Sequence, residues 1–211
     1  MRKIIKVKEP LSLAQHRRVN KTDYDGFREK QELREALVFE QRGICCYCMA
    51  RIEPNELTMK IEHFLSRSEH PNERLVYNNL FGACLGNEKN DAKTHCDTFK
   101  GNKEFHFHMC TSGHIHSDIK YKNNGEIFSN YENLNLELNT VLNLNLPELI
   151  KARKSTLDGF IKAYLSSKSV KLKREVLTRF RDKWLGTSHQ NLLEPYCMIV
   201  VHYLDKKLAS S

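Results

Sequence analysis

Four cysteines constrain this chain more than any other feature it has. Cys45 and Cys48 stand two residues apart in the run Cys45-Cys46-Tyr47-Cys48, and Cys84 and Cys96 follow further along. A C-x-x-C pair places two thiolates on one tight turn, and two more thiols can close a tetrahedral site of the kind zinc prefers. Zinc bound by such a site contributes roughly 10–16 kcal/mol at neutral pH, enough to hold a loop-rich region that lacks core. The second pair is irregular, because eleven residues rather than two separate Cys84 from Cys96. The competing reading takes all four as small buried apolar side chains. Cys46, lying between ligands, is expected to point away. A redox C-x-x-C would require a surrounding βαβ pattern, and none is present.

Whether thiols are free to bind metal depends on the compartment. Residues 1–6 are basic but have no apolar run behind them, so no secretory leader is expected, and a cytoplasmic location keeps the seven cysteines reduced. No apolar stretch approaches a membrane span, and 40% hydrophobic with 28% charged residues is ordinary for a globular protein of 211 residues. The net charge of +8 is unevenly placed: residues 151–183 hold eleven Lys or Arg against Asp158, Glu175 and Asp182. Lys171, Lys173, Arg174 and Arg179 make this segment a candidate phosphate-facing surface, since counterion release drives most non-specific nucleic-acid affinity. A solvated helical face fits the same charges equally well.

Periodicity supplies the coarse order. Residues 1–12 read as a short strand ending near Pro10, and a helix is expected from about Tyr24 to Arg42, stopped by Gly43. Residues 58–64 read as a strand, 66–79 as a polar loop, and 96–104 permit a short helix. Asn123-Asn124-Gly125, flanked by Ile119-Lys120-Tyr121 and Glu126-Ile127-Phe128, predicts a hairpin. The Asn-Leu alternation over 133–146 suggests a strand or an irregular wrap. Three helices are expected after it: one opened by Pro147, one ending at Gly186, and one carrying Met198 to Leu204. His106, His108, Cys110, His114 and His116 alternate in a way that can suit metal, but no histidine–carboxylate geometry accompanies them, and no site is expected there.

The order Cys-x-x-Cys, Glu62-His63, Asn79-Leu80, Cys84, then Cys96-Asp97-x-x-Lys100-Gly101 resembles HNH nucleases with a zinc-stapled ββα-metal fold. Glu9-Pro10 and Leu33-Arg34-x-Ala36-Leu37 before this block, and Leu142-Asn143-Leu144-Asn145 after it, are similar to the retron- and Septu-associated HNH proteins called PtuB. The resemblance implies an α+β protein with two parts. Residues 1–105 would form the nuclease domain, with its HNH core over about 24–105, and 106–211 a hairpin with helical accessory or partner-binding elements. Ser66 stands three residues after His63 where the family often has proline, so a differently shaped loop is expected.

The chemistry implied is phosphodiester hydrolysis. His63 would be the base that activates water, because an imidazole can be neutral yet accept a proton near pH 7. Glu62 and Asp97 would hold a catalytic Mg²⁺ or Mn²⁺, which needs one or two carboxylates besides water and substrate. By the resemblance, Asn79 would brace the loop and orient His63; Lys100 is placed to touch a phosphate. Cys45, Cys48, Cys84 and Cys96 would hold structural Zn²⁺. The partners implied are a DNA or RNA substrate and a PtuA-type ATPase in antiphage defence, with a retron reverse transcriptase and its RNA–DNA product. No membrane is involved. The rival readings are a zinc-knuckle module that binds nucleic acid or a partner without cutting, and a docking scaffold.

Overall fold

The computed structural model describes residues 1–20, 23–110, 115–165, 173–186 and 192–210, and the fold is α+β. Helices α1 (Leu11–Asn20) and α2 (Lys30–Gln41) precede an antiparallel pair, β1 (Met59–His63) and β2 (Leu80–Cys84), and the short helix α3 (Cys96–Lys100). A short helix α4 (Ile115–Asp118) leads into a second antiparallel pair, β3 (Ile119–Tyr121) and β4 (Ile127–Ser129). Helices α5 (Glu132–Thr140), α6 (Pro147–Tyr164), α7 (Arg174–Leu185) and α8 (Cys197–Ala209) follow. None of the described helices is long and apolar enough to cross a membrane.

The expected strand over residues 1–12 does not form. Met1 and Ile4 are buried in the core, but their segment has single anchors instead of a strand partner: the Ile4 amide donates to the Met109 carbonyl and the Val7 amide to Glu40. Helix α2 begins six residues later than its periodicity suggests, because Gly26 and Asp23 make a turn closed by the Gly26 amide on the Asp23 carboxylate. Its buried positions, Leu33, Leu37, Val38 and Gln41, share one face. At its end Arg42 and Gly43 are both left-handed, which reverses the chain into the cysteine knuckle.

The strand β2 is buried along its whole length. Its register pairs Met59 with Cys84 and His63 with Leu80, so the pair delivers a cysteine at one end and a histidine at the other. The Gln41 side chain clamps it: the Gly82 amide donates to Oε1, and Nε2 donates to the Gly82 and Ile44 carbonyls.

Residues 132–140 are a helix rather than the strand or wrap that Asn-Leu alternation suggests. Leu134 and Leu138, four apart, face the core, while Leu136 is exposed. The expected hairpin does form around Gly125, where φ is +101° and an added Cβ would lie 2.1 Å from the Ile150 carbonyl oxygen. The helix opened by Pro147, the helix stopped by Gly186 and the helix over Met198 to Leu204 are all present. The larger core draws side chains from both sides of residue 105, among them Tyr47, Phe81, Leu138, Leu157 and Val200. A smaller core joins α1 and α2 to Leu75, Tyr77 and Leu80.

Candidate functional sites: a thiol cluster and a histidine–carboxylate pocket

The sulfurs of Cys45, Cys48, Cys84 and Cys96, all buried, lie within 4.8 Å of one another. Cys45 and Cys96 are 3.9 Å apart and Cys48 and Cys84 3.6 Å. A disulfide would need about 2.05 Å, whereas tetrahedral thiolates at about 2.3 Å from zinc stand about 3.8 Å apart. The observed spacing is therefore that of a four-thiolate metal cage. The knuckle turn is closed by the Cys45 amide on the Ala50 carbonyl and the Met49 amide on the Cys45 carbonyl. Cys84 comes from the end of β2 and Cys96 from the first residue of α3, which takes a left-handed φ of 55°.

Electrostatics agrees with the geometry. Burial opposes ionisation of Cys45, yet hydrogen bonds from Cys46, Cys48, Cys84 and Cys96 hold its thiol well below the usual range. Cys84 is pushed up by its bonds to Cys45 and Cys48, and Cys96 by burial. One thiolate thus suppresses its neighbours, a competition that a divalent cation removes. Cys46 is held up by burial. A partner not foreseen from sequence is His95, whose Nε2 lies 3.8 Å from the Cys84 sulfur.

At the opposite end of β1, a cavity of about 460 Å³ is lined by Glu62, His63 and Asp97, and also by Asp25, Arg67 and Arg74. His63 packs edge-on against Tyr24, with ring centroids 4.4 Å apart, and its Nε2 is 3.0 Å from the Arg74 carbonyl oxygen. A carbonyl only accepts, so Nε2 carries the proton and Nδ1 keeps its lone pair. Burial, reinforced by the charges of Arg67 and Lys100, lowers the pKa of His63 to about 4, so the ring is neutral at pH 7.

Glu62 is buried beside Asp97. Burial raises its carboxyl well above the usual range, and the Asp97 carboxylate within hydrogen-bonding reach adds to this, against the pull of Lys100 and Tyr47. Tyr47 donates to Glu62 Oε1 at 2.7 Å and Lys100 Nζ is 3.0 Å from the same oxygen. Both of these partners take Oε1, and Asp97 is the further group within reach of the carboxyl.

Two assignments change. Lys100 is 1% exposed and tied to Glu62 and to the His63 carbonyl, so its ammonium does not reach a surface where a phosphate could meet it. Asn79 does brace the loop: its Oδ1 accepts the Leu65 amide while Nδ2 donates to the Leu65 and Glu73 carbonyls. The group bonded to the His63 ring, however, is the Arg74 carbonyl, so Asn79 acts on His63 only through the loop it holds.

The basic segment is partly structural. Arg153 is buried, donating to the Gly125 and Leu144 carbonyls, and Lys154 and Arg181 pair with Asp158 and Asp205. Lys173, just before α7, and Arg174 and Arg179 on it are exposed, with Arg174 also donating to the Leu208 carbonyl, and Lys171 lies outside the described residues. In the histidine-rich stretch, His106 pairs with Glu137 and Glu104, and His108 packs on Phe64; His114 and the His116 side chain lie outside the described residues.

Asp25, Arg67 and Arg74 are charged pocket residues that sequence reasoning missed, and Arg67 pairs with Asp25 at 2.8 Å. The signal was present, two arginines in the stretch between the histidine and Asn79, but that stretch reads only as a polar loop. No family model matches the chain, and no curated protein matches it.

Proposed function

We infer that the chain is a metal-dependent phosphodiesterase of the HNH type, with β1, β2 and α3 as its ββα-metal core and a structural zinc in the four-cysteine cage. The observation that carries this reading is His63 with a fixed tautomer, in one cavity with the carboxylates of Glu62 and Asp97 and with Arg67 and Arg74. The Nδ1 lone pair is the proton acceptor for the attacking water. The negative charge of a bound diester raises the pKa of the imidazole toward neutrality, so proton acceptance strengthens once substrate is in place. Arg67 and Arg74 supply donors for the non-bridging phosphate oxygens. Glu62 and Asp97 are the residues that would hold Mg²⁺ or Mn²⁺, which when bound neutralises the phosphate and the leaving oxygen.

A zinc-knuckle binding module accounts for the cysteines equally well, but it has no use for a neutral histidine sharing a cavity with a buried Glu62 and a half-buried Asp97. The decisive test incubates the purified protein with plasmid DNA and total RNA in Mg²⁺ or Mn²⁺. His63→Ala is expected to lose on the order of 10²–10⁴-fold in cleavage rate while keeping zinc and its melting temperature. Asp97→Ala should also stop cutting, with partial recovery at higher Mn²⁺. A folded His63→Ala protein that cuts as fast as wild type would overturn the reading. The resemblance to PtuB adds a PtuA-type ATPase as partner in an antiphage setting, which co-purification of the two chains tests.

A further inference from the structure

The hydrogen bond that fixes the tautomer of His63 does not by itself fix the plane of its ring. A histidine χ2 is a broad, roughly two-fold torsion. Nε2 lies nearly opposite the Cβ–Cγ bond about which the ring turns. Its bond to the Arg74 carbonyl, at 3.0 Å, therefore restrains the tip of the imidazole far more than its rotation. Rotation is the motion that would redirect the Nδ1 lone pair.

Tyr24 is the side chain placed to oppose that motion. Its ring meets the imidazole at 88° with centroids 4.4 Å apart, at the close end of the range for perpendicular aromatic pairs. Turning the imidazole either loses this contact or drives one edge into the phenol ring. Among the described residues, no other aromatic ring is in contact with His63.

A side chain can hold another only if it is itself held. Tyr24 is 8% exposed and belongs to the smaller core, with Leu13, Phe27, Leu33 and Leu37 behind it. Lys30 Nζ and the Arg67 guanidinium lie over its ring, 5.1 and 5.3 Å from the centroid. The loop that carries it is tied down on both sides. The Asp23 carboxylate accepts the Gly26 amide, the Asp23 carbonyl lies 2.7 Å from His16 Nε2, and the Tyr24 carbonyl accepts the Phe27 amide.

We propose that Tyr24 is a positioning residue for the reaction: it holds the plane of the His63 ring, and with it the direction of the Nδ1 lone pair. The consequence for rate rests on the nuclease reading, whereas the hold on the ring rests on the contact alone. The helices before β1 thereby take part in the site, since α1 and α2 supply the core that backs Tyr24.

The test compares Tyr24→Leu, which keeps an apolar side chain but removes the ring, with Tyr24→Phe, which keeps the ring. On a nucleic acid that the wild type cuts, kcat of Tyr24→Leu is expected to fall about 2- to 12-fold, the usual worth of such a pair. KM should change by less than about twofold, because the contact acts on the base and not on substrate binding. Tyr24→Phe should recover the wild-type kcat. Nitrogen NMR of the full chain reads the ring directly, the His63 signals being identified by their loss in His63→Ala. At about pH 7 the wild type should show the single Nε2–H tautomer, with cross-peaks between the ring protons of Tyr24 and His63. Tyr24→Leu should draw the two ring-nitrogen signals together, as a freed ring leaves the Arg74 carbonyl and mixes its tautomers; Tyr24→Phe should not. Leu13→Val loosens the same core from α1, and should lower the melting temperature without moving kcat or these signals. Wild-type protein without the cross-peaks overturns the proposal, whether or not Tyr24→Leu folds. So do unmoved nitrogens in Tyr24→Leu, a Tyr24→Phe as defective as Tyr24→Leu, an equal effect of Leu13→Val, or a change in KM alone. A wild-type chain that cuts neither DNA nor RNA sinks the nuclease reading instead, and the nitrogen signals still decide whether Tyr24 holds the ring.

Discussion

Lys100 and Glu62 form an ion pair in which both side chains are almost wholly shielded, at 1% and 2% exposure. Removing two charges from water costs several kcal/mol per ion, and good geometry with added hydrogen bonds must offset it. Here the Tyr47 hydroxyl and the His63 carbonyl supply those bonds. Lys100→Met strands Glu62 and is expected to cost about 3–5 kcal/mol, read as a lower urea midpoint, while Lys100→Met with Glu62→Gln should recover part of the loss. A single variant as stable as wild type would mean that Glu62 is neutral without its partner. The ordered motifs and the resemblance they carry grouped Glu62, His63 and Asp97, and all three line one cavity. It misread Lys100, because nothing in a Lys-Gly helix end reveals that α3 docks this side chain inward against β1.

Elements were legible where one period dominated. The Pro147 and Gly186 signals mark helix ends by conformational restriction alone, so they survive any tertiary context. The Asn-Leu run misled over its first half because two periods coexist there: alternation is visible in the letters, but within α5 only Leu134 and Leu138 are buried, while residues 141–146, with Leu142 and Leu144 buried, do form an irregular wrap. Its asparagines serve as backbone mimics instead. Asn145 exchanges two hydrogen bonds with the backbone of Ile127, as a neighbouring strand would. On α8, partial burial, with Lys206 and Lys120 adding to it against Asp205, lowers the pKa of His202 to about 4, and its Nε2 has no hydrogen-bond partner among the described residues. A histidine depressed by folding takes its proton later in the native state than in the unfolded one. Stability contributed by His202 is therefore complete above about pH 6.5 and lost as the pH falls toward 4. With partial exposure discounted, the loss is on the order of 1–2 kcal/mol. Thermal melts at pH 7.5 and 4.5 should differ less for His202→Phe than for wild type; equal differences would show that His202 does not carry this term.

Across the whole molecule the thiol cage is a junction more than a local staple. Its ligands come from a turn, a strand and a helix, and hydrogen bonds join the turn to residues 193–196 and through them to α8. Zinc analysis of protein purified without added metal should give about one ion per chain. Chelation, or Cys48→Ser, should then lower the melting temperature and also loosen amide protection in α8, far from the thiols in sequence. Protection lost in the knuckle alone would show that the two regions are independent, and a zinc-free protein with an unchanged melt would remove zinc from the fold. This coupling was invisible in the sequence because a single arginine and two amides carry it, with no motif.

The same junction has a consequence in time. Cys48 leaves the ribosome long before residues 193–196, which hydrogen-bond to the knuckle, and at about 5–20 residues per second the interval is roughly 7–30 s. For that interval the knuckle has a ligand pair but lacks part of its wall, and Cys84 and Cys96 are themselves still arriving. A nascent chain of this kind carries its most oxidisable groups in their most accessible state, so if zinc is the ion of the cage, the yield of intact protein depends on how soon it reaches the thiols during synthesis.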